Sequence, residues 1–564
     1  MMNEENELEE FAPWMVIIIT LVGGFLRVLL LGTKGMWLDE TFSIWMASHS
    51  VPDMMQWIAR IDQHPPLYYL LLHYWIGFNG DTPYYARLLS VLFGAGTIPI
   101  IYLIGKRMSG AVMGLAAAVF LALSPFNIYF AQETRMYTLL TFNAAVAMYA
   151  LVRLLTDSRS VRPIGSQFRE YLLAWRTCGP VEPDTKPEGD FSYKDETRNQ
   201  TRWRAWIFHH RWLPIRTLET DLAWVVLIVF SAATMLSHNT AVLFPLASNI
   251  FVLGLMLFQR IKKSGTQPAF QAPSLGNWAK AQIGIFLLWS PWIFSFIKQA
   301  NAVYQRFWIP EPTWESVIQV LKFFLNASAP IPASQAMVIW SLYVLVLCLG
   351  LVNYRKKISQ FLFLCALFAI PILGELIVSL RRPIFLDRTL IWITIPLFLV
   401  LAAGIAQLKF RLLMIVVLGS LGTINLFSAS DYHRFFQKED WNTAAGYVAN
   451  FVEEDDLVLF NSNFVEIPFD YYFQPYEEQY SLEVVKQGVP LDLFDSGIPE
   501  PRMTTNDIPG LISLLSGHKR VWLVYSHNSY TDPTGLIPQT LASQKKLIQT
   551  RDFYGGQVQL YGTP

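Results

Sequence analysis

Two adjacent acids, Asp39 and Glu40, stand in the stretch KGMWLDETFSIWM (residues 34–46), just past an apolar run long enough to cross a bilayer and flanked by Trp37, Phe42 and Trp45. Three more clusters of chemically active side chains lie beside apolar runs. They are QHPPLYY (63–69) with His64, SPFNIYFAQETRMY (124–137) with Glu133, Arg135 and Tyr137, and RRPIFLDR (381–388) with Arg381, Arg382 and Arg388. His238, in LSHNTAVLFP (236–245), sits between two further apolar runs. Ionisable groups near hydrocarbon are costly, so clusters of them argue for function. A carboxylate can take or orient the proton of an acceptor hydroxyl. Arginines can hold a phosphate leaving group through charge-assisted, often two-pronged bonds. Aromatic rings can cover a sugar or line a groove for an isoprenoid. Together these are the needs of glycosyl transfer from a lipid phosphate at a membrane surface. Each cluster alone has a plainer reading: acids suit the first turn of a helix, proline opens one, an exposed Glu–Arg pair is weak, and arginines at helix ends reach for headgroups. The chemical reading rests on their coincidence.

The elements that must position these residues are membrane helices. Of 564 residues, 53% are hydrophobic, 15% are charged and 19 are tryptophan, too apolar for an ordinary soluble chain of this size. A formal net charge of zero argues against a nucleic-acid partner. The three cysteines, Cys178, Cys348 and Cys365, have neither disulfide nor metal spacing and read as packing residues. Apolar runs of spanning length at 12–31, 84–105, 111–130, 137–155, 221–237, 239–258, 279–297, 336–353, 360–380, 389–408 and 411–428 predict about eleven helices, and about 11 to 13 if short runs also cross. The run at 67–78 is short for a crossing, so it is either re-entrant or a further span. The acidic start MMNEENELEE followed by a long apolar run predicts a retained first helix and not a cleaved leader. Basic residues at Lys106, Arg107, 153–216, 260–263, 355–357, Lys409 and Arg411 fall on one side if the N-terminus is cytoplasmic. That places residues 32–66, the turn at Glu133, the loop 298–335 and RRPIFLDR outside, and an irregular insertion at 156–220 inside. Past residue 430 the texture changes to short strand-like runs, DLVLF (456–460), RVWLVYS (520–526) and GQVQLYG (556–562), among helical stretches. Residues 1–430 thus read as the membrane catalytic domain and 431–564 as an α/β domain outside the membrane.

The ordered set WLDE, HPPLYYLLLHYWIGFNG, ARLLSVLFG, SPFNIYFAQETRMY and FLDRTLIWITIPLFLVLAAG resembles the GT-C class of membrane glycosyltransferases, specifically bacterial relatives of the protein O-mannosyltransferases and of the lipid A aminoarabinose transferases. The resemblance implies a GT-C fold and transfer of a hexose or pentose, with inversion, from a polyprenyl-phosphate donor to a lipid, glycan or protein acceptor, in the bacterial inner membrane with membrane lipids around it. By it, Asp39 is the catalytic carboxylate with Glu40 assisting, and His64, Arg87, Glu133, Arg135, Tyr137, His238, Arg381, Arg382 and Arg388 form the donor and phosphate site. No cofactor is certain, and a divalent metal ion beside the carboxylates stays open. The chain departs from the resemblance in two places. Lipid A aminoarabinose transferases carry an aspartate where Glu133 stands, and the lysine that follows the HPP region in protein O-mannosyltransferases is replaced by Leu67, Tyr68 and Tyr69. A transporter of lipid-linked saccharides, or a polymerase or ligase using the same donor, are the alternative readings.

Overall fold

The computed structural model describes residues 2–62, 64–157, 160, 164–166, 169, 219–261, 269–302, 309–326 and 333–563. The expected insertion at 156–220 lies almost wholly outside the described residues, as does part of the loop 298–335. Among the described residues ten helices are long and apolar enough to cross a membrane. The pair α6 (Ala111–Ala122) and α7 (Pro125–Ala131), bent by 56°, is apolar enough to make an eleventh span or a re-entrant loop. The chain is a multi-pass membrane protein. The run at 67–78 is α4 (Leu67–Asn79), a 13-residue helix too short to span, which follows α3 (Val51–Ile61) and packs against α2 (Leu38–Ser48) and α5 (Pro83–Ser109).

Burial sorts the spans. In the most apolar stretches of the span Arg388–Ala406 and of α8 (Tyr137–Thr156), 94% and 83% of residues are buried, against 22% for the first span, Leu8–Val28, and 17% for Ala336–Asn353. The first two therefore form the centre of the bundle, and the last two leave most of their surface to lipid. At the centre, small residues allow close approach: a Cβ added at Gly350 or Gly404 would collide with the carbonyl of Val400 or Val346 on the facing helix.

The α6–α7 bend has an identifiable cause. The carbonyl of Leu121 would ordinarily accept from the N–H four residues on, which is Pro125 and has none. The guanidinium of Arg27, fully buried in α1 (Met2–Val28), supplies it instead, donating to Leu121 O at 2.9 Å, Ala122 O at 3.0 Å and Gly23 O at 2.8 Å. A broken helix at membrane depth is tolerated only when its freed carbonyls are satisfied in this way.

After the last span, Arg411–Phe435, the chain forms a five-stranded sheet, β1 (Leu457–Asn461), β2 (Val485–Gly488), β3 (Val521–Tyr525), β4 (Lys546–Phe553) and β5 (Gly556–Gly562), in the order β2-β1-β3-β5-β4. The β1 strand pairs in parallel with β2 and β3, whereas β5 runs antiparallel to β3 and β4. The sequences LVLFN and VWLVY are buried on both faces, because helices cover the sheet on both sides. This α/β domain docks on the first loop of the bundle. Lys34 Nζ caps the end of the last span through His433 O (3.1 Å) and Phe436 O (2.6 Å), Met36 N donates to Tyr472 Oη at 2.6 Å, and Tyr471 donates to Asp81 O at 2.9 Å. Rings continue the interface, with Phe42 against Phe464 and Trp45 and Trp57 against Phe494.

Candidate active site

Asp39 and Glu40 both lie in the first turn of α2. One residue turns a helix by about 100°, so adjacent side chains face different directions. Asp39 Oδ2 accepts from Arg388 Nη1 at 3.0 Å, with the two side chains 26% and 19% exposed. Arg388 opens a 3₁₀ turn, Arg388–Ile393, whose first N–H is held by Asp387 Oδ1 at 2.8 Å. Its guanidinium lies 5.9 Å from the centre of the Tyr137 ring. From the turn before α8, Arg135 Nη1 reaches Asp39 O at 3.3 Å, Ser43 Oγ at 3.2 Å and Tyr69 Oη at 3.4 Å. His64 Nδ1 is 2.9 Å from Asp62 Oδ1, and the His64 ring meets that of His238 edge-on at 5.3 Å, with Tyr137 6.4 Å beyond. Asp39, His64, Arg135, Tyr137, His238 and Arg388 are thus brought together from five separate segments.

Electrostatics sharpen the picture. Burial alone would push the Asp39 carboxyl up, but Arg135 and Arg388, with smaller help from His64 and His527, outweigh it and hold the group below the usual aspartate range. Asp39 is therefore an anion. Burial pushes His238 well below the ordinary imidazole value, and His64, Arg135 and Arg388 add to that, so the ring is neutral.

Glu40 points into the protein. Its Oε1 accepts from Arg87 Nε at 2.7 Å and Thr134 N at 3.0 Å, and its Oε2 from Arg87 Nη2 at 2.8 Å and Lys438 Nζ at 2.7 Å. Burial works to raise this carboxyl, but Arg87 and Lys438 override it and hold it down at about 2. Arg87 donates its remaining hydrogens to Leu31 O, Lys34 O and Gly35 O at 2.8 to 2.9 Å. All five N–H groups of the guanidinium are then engaged, and Arg87 ties the first loop to Glu40. The same geometry separates Glu40 from Asp39 and makes it a structural partner of Arg87. Glu133, fully buried, lies 3.8 Å from Lys438 Nζ. Burial pushes its carboxyl up to about 7, opposed by Lys438 and reinforced by Glu40. Arg381 is exposed, and Arg382 is buried and donates to Ala300 O at 3.3 Å.

Several residues of the site were not anticipated from the sequence. Lys438 follows the last span in a charge triplet, KED, whose position at a helix exit was the available signal. Glu439 Oε2 accepts from Leu38 N at 3.2 Å and Trp441 Nε1 at 2.7 Å, and its Oε1 lies 3.4 Å from His527 Nε2. His527 follows β3, so the carboxyl end of the parallel strands faces the loop that carries Asp39. Asp62, two residues before His64, carried no motif.

Residues 63–164 match the family profile described as dolichyl-phosphate-mannose-protein mannosyltransferase. No curated protein matches the sequence at a significant level. Among solved structures the chain is similar to ArnT from Cupriavidus metallidurans in the apo state, at a TM-score of 0.59 and 10% identity, covering 97% of this chain and 98% of that one. The same protein bound to undecaprenyl phosphate matches at 0.55 and 11%, with 97% of each chain covered. Archaeal oligosaccharyltransferase AglB from Archaeoglobus fulgidus, in complex with an inhibitory peptide and a dolichol-phosphate, matches at 0.51 and 9%, over 99% of this chain and 75% of that one. The chain has the GT-C fold of membrane glycosyltransferases, with the C-terminal α/β domain included in the match.

Proposed function

We propose that the protein transfers one sugar from a polyprenyl-phosphate donor to a hydroxyl acceptor outside the cytoplasm, with inversion at the anomeric carbon. The observation that carries this reading is the Asp39–Arg388 pair, an anion and a guanidinium 3.0 Å apart, mostly buried but still open to solvent. The match to ArnT bound to undecaprenyl phosphate supports the donor class. On this reading the donor phosphate takes Arg388 away from Asp39, since a doubly bonded phosphate–guanidinium pair is a stronger charge-assisted contact than the single one it replaces. Asp39, so released, receives or orients the acceptor proton. Arg388 stabilises the charge that develops on the departing phosphate, and Arg135 holds the loop of Asp39 through its carbonyl. His64, neutral His238 and Tyr137 line the donor side. Exposed Arg381 serves the membrane interface, and buried Arg382 ties RRPIFLDR to Ala300.

The protein sits on this reading in the bacterial inner membrane, with the site and the α/β domain outside. Purified protein incubated with radiolabelled polyprenyl-phosphate sugars and extracted cell envelope should move label to an envelope component. Label that stays on the donor across the panel of sugars would refute the reading.

A further inference from the structure

Lys438 lies between the last span, Arg411–Phe435, and the first helix of the α/β domain, Trp441–Phe451. Its side chain is 3% exposed, and its ammonium is 2.7 Å from Glu40 Oε2 and 3.8 Å from Glu133 Oε1. The two glutamates come from different places, Glu40 from α2 and Glu133 from the turn between α7 and α8, and neither side chain has any exposure. Two carboxyls converging in a dry interior share a cation or keep a proton, because each has lost its water and their mutual repulsion is unscreened. A hard divalent ion held by carboxylate oxygens is one common solution. A lysine is another.

The residues present do not fit the divalent ion. A carboxylate offers about four lone-pair sites. All four on Glu40 are taken, by Arg87 Nε and Thr134 N at Oε1 and by Arg87 Nη2 and Lys438 Nζ at Oε2. Among the described residues no group of three or more His, Cys, Asp and Glu is arranged to hold a metal. Above about pH 7, where Glu133 as well as Glu40 is ionised, Arg87 and Lys438 leave the four-residue cluster with no net charge.

We infer that Lys438 is a built-in cation: its ammonium stands where a divalent ion would bridge Glu40 and Glu133, and it thereby positions the loop that carries Asp39. Lys438 is a positioning residue, acting through Glu40 and touching no substrate. Because it belongs to the five-residue strap 436–440, the cation is delivered only when the α/β domain is docked, together with Glu439, which holds Leu38 N beside Asp39. The inference deepens the transferase reading but can be tested without it.

The test uses the full-length protein in lipid nanodiscs, with Mn²⁺ as the probe and its binding read by electron paramagnetic resonance. Lys438→Ala should bind one Mn²⁺ at least about ten-fold tighter than wild type, through the vacated oxygens, and the gain should vanish in Lys438→Ala/Glu133→Gln. Lys438→Gln, which retains more of the side-chain volume, is the second variant and should show the same gain if Lys438→Ala does not fold. Lys438→Met should lower the melting temperature, and Glu133→Gln added to it should restore part of the loss, because one uncompensated charge is removed. Equal Mn²⁺ affinity in wild type and both single variants, or a gain that survives Glu133→Gln, would overturn the inference. So would a double variant less stable than Lys438→Met. In the transfer assay, wild-type turnover should be unchanged by a chelator. Finding no transfer with any donor would refute the transferase reading while leaving the Mn²⁺ result to decide this one.

Discussion

Arg87→Lys separates a structural arginine from a chemical one. The Arg87 guanidinium makes five hydrogen bonds, two to Glu40 and three to the carbonyls of Leu31, Lys34 and Gly35. An ammonium has three hydrogens, so at least two buried acceptors lose their donor. Each unsatisfied buried group costs about 1 to 3 kcal/mol, which gives about 2 to 6 kcal/mol of local destabilisation. That energy falls on the loop between α1 and α2, because three of the five acceptors are there. At about 1.4 kcal/mol per factor of ten, protection of the loop amides against hydrogen exchange should drop by about 30-fold or more. The assay is exchange mass spectrometry on peptides covering residues 29–40, alongside the melting temperature in nanodiscs. Binding of polyprenyl phosphate should weaken only as far as the loop opens. Wild-type protection combined with lost phosphate binding would refute the reasoning, since it would mean that Arg87 faces the donor and that its carbonyl contacts carry no weight.

The other expected outcomes follow from the same geometry. Asp39→Asn should leave donor binding nearly intact and slow transfer by about 10² to 10⁴-fold, the usual cost of losing a general base; single-turnover rates with labelled donor measure it. Arg388→Ala should slow transfer by about 30- to 1000-fold, and Arg388→Lys should also slow it although charge is kept, because lysine lacks the planar fork; near-normal turnover with lysine would remove Arg388 from the site. Glu133 has a folded-state value of about 7, raised above its ordinary 4.5, so the folded protein holds a proton that the unfolded chain releases. Stability should therefore fall as pH rises from about 4.5 through 7, and denaturation midpoints of Glu133→Gln should lack that fall. For sidedness, a cysteine at the exposed Lys519 should react with an impermeant thiol reagent in cells with the outer envelope opened, and one at the exposed Lys409 should not. Ser462, in the same domain, is 1% exposed and unsuited to this test.

Much of the architecture was legible because membrane helices announce themselves by length and composition. The apolar runs correspond to the observed spans, and even the bent pair at 111–131 read as one run, since hydropathy is blind to a 56° turn. The three strands rich in β-branched and aromatic residues were visible as well. The edge strands were not: β2, VKQG, and β4, KLIQTRDF, lie at the sheet's rims and carry no apolar alternation. Within the site, the residue types were readable but their directions were not. Asp39 and Glu40 are identical in charge and adjacent in sequence, and only the rotation of one helical step sends one to Arg388 and the other to Arg87. Arg87 and Arg388 likewise look alike until every hydrogen is assigned. Lys438 stayed hidden because its partners lie as far as 398 positions away, beyond any spacing rule.

The arginine that mends the α6–α7 break also bears on how the chain is made. Arg27 sits in α1, yet the carbonyls it serves at Leu121 and Ala122 are 94 and 95 residues downstream. Until those residues are synthesised the guanidinium has only Gly23 of its own helix, and a lone cation in hydrocarbon is expelled toward the headgroups. The expected consequence is that α1 sits shallow at first and reaches its final depth when α6 arrives to receive it. Membrane integration would in that sense be retroactive: a break at Pro125, through the carbonyls it leaves to Arg27, would fix the seat of a helix made before it.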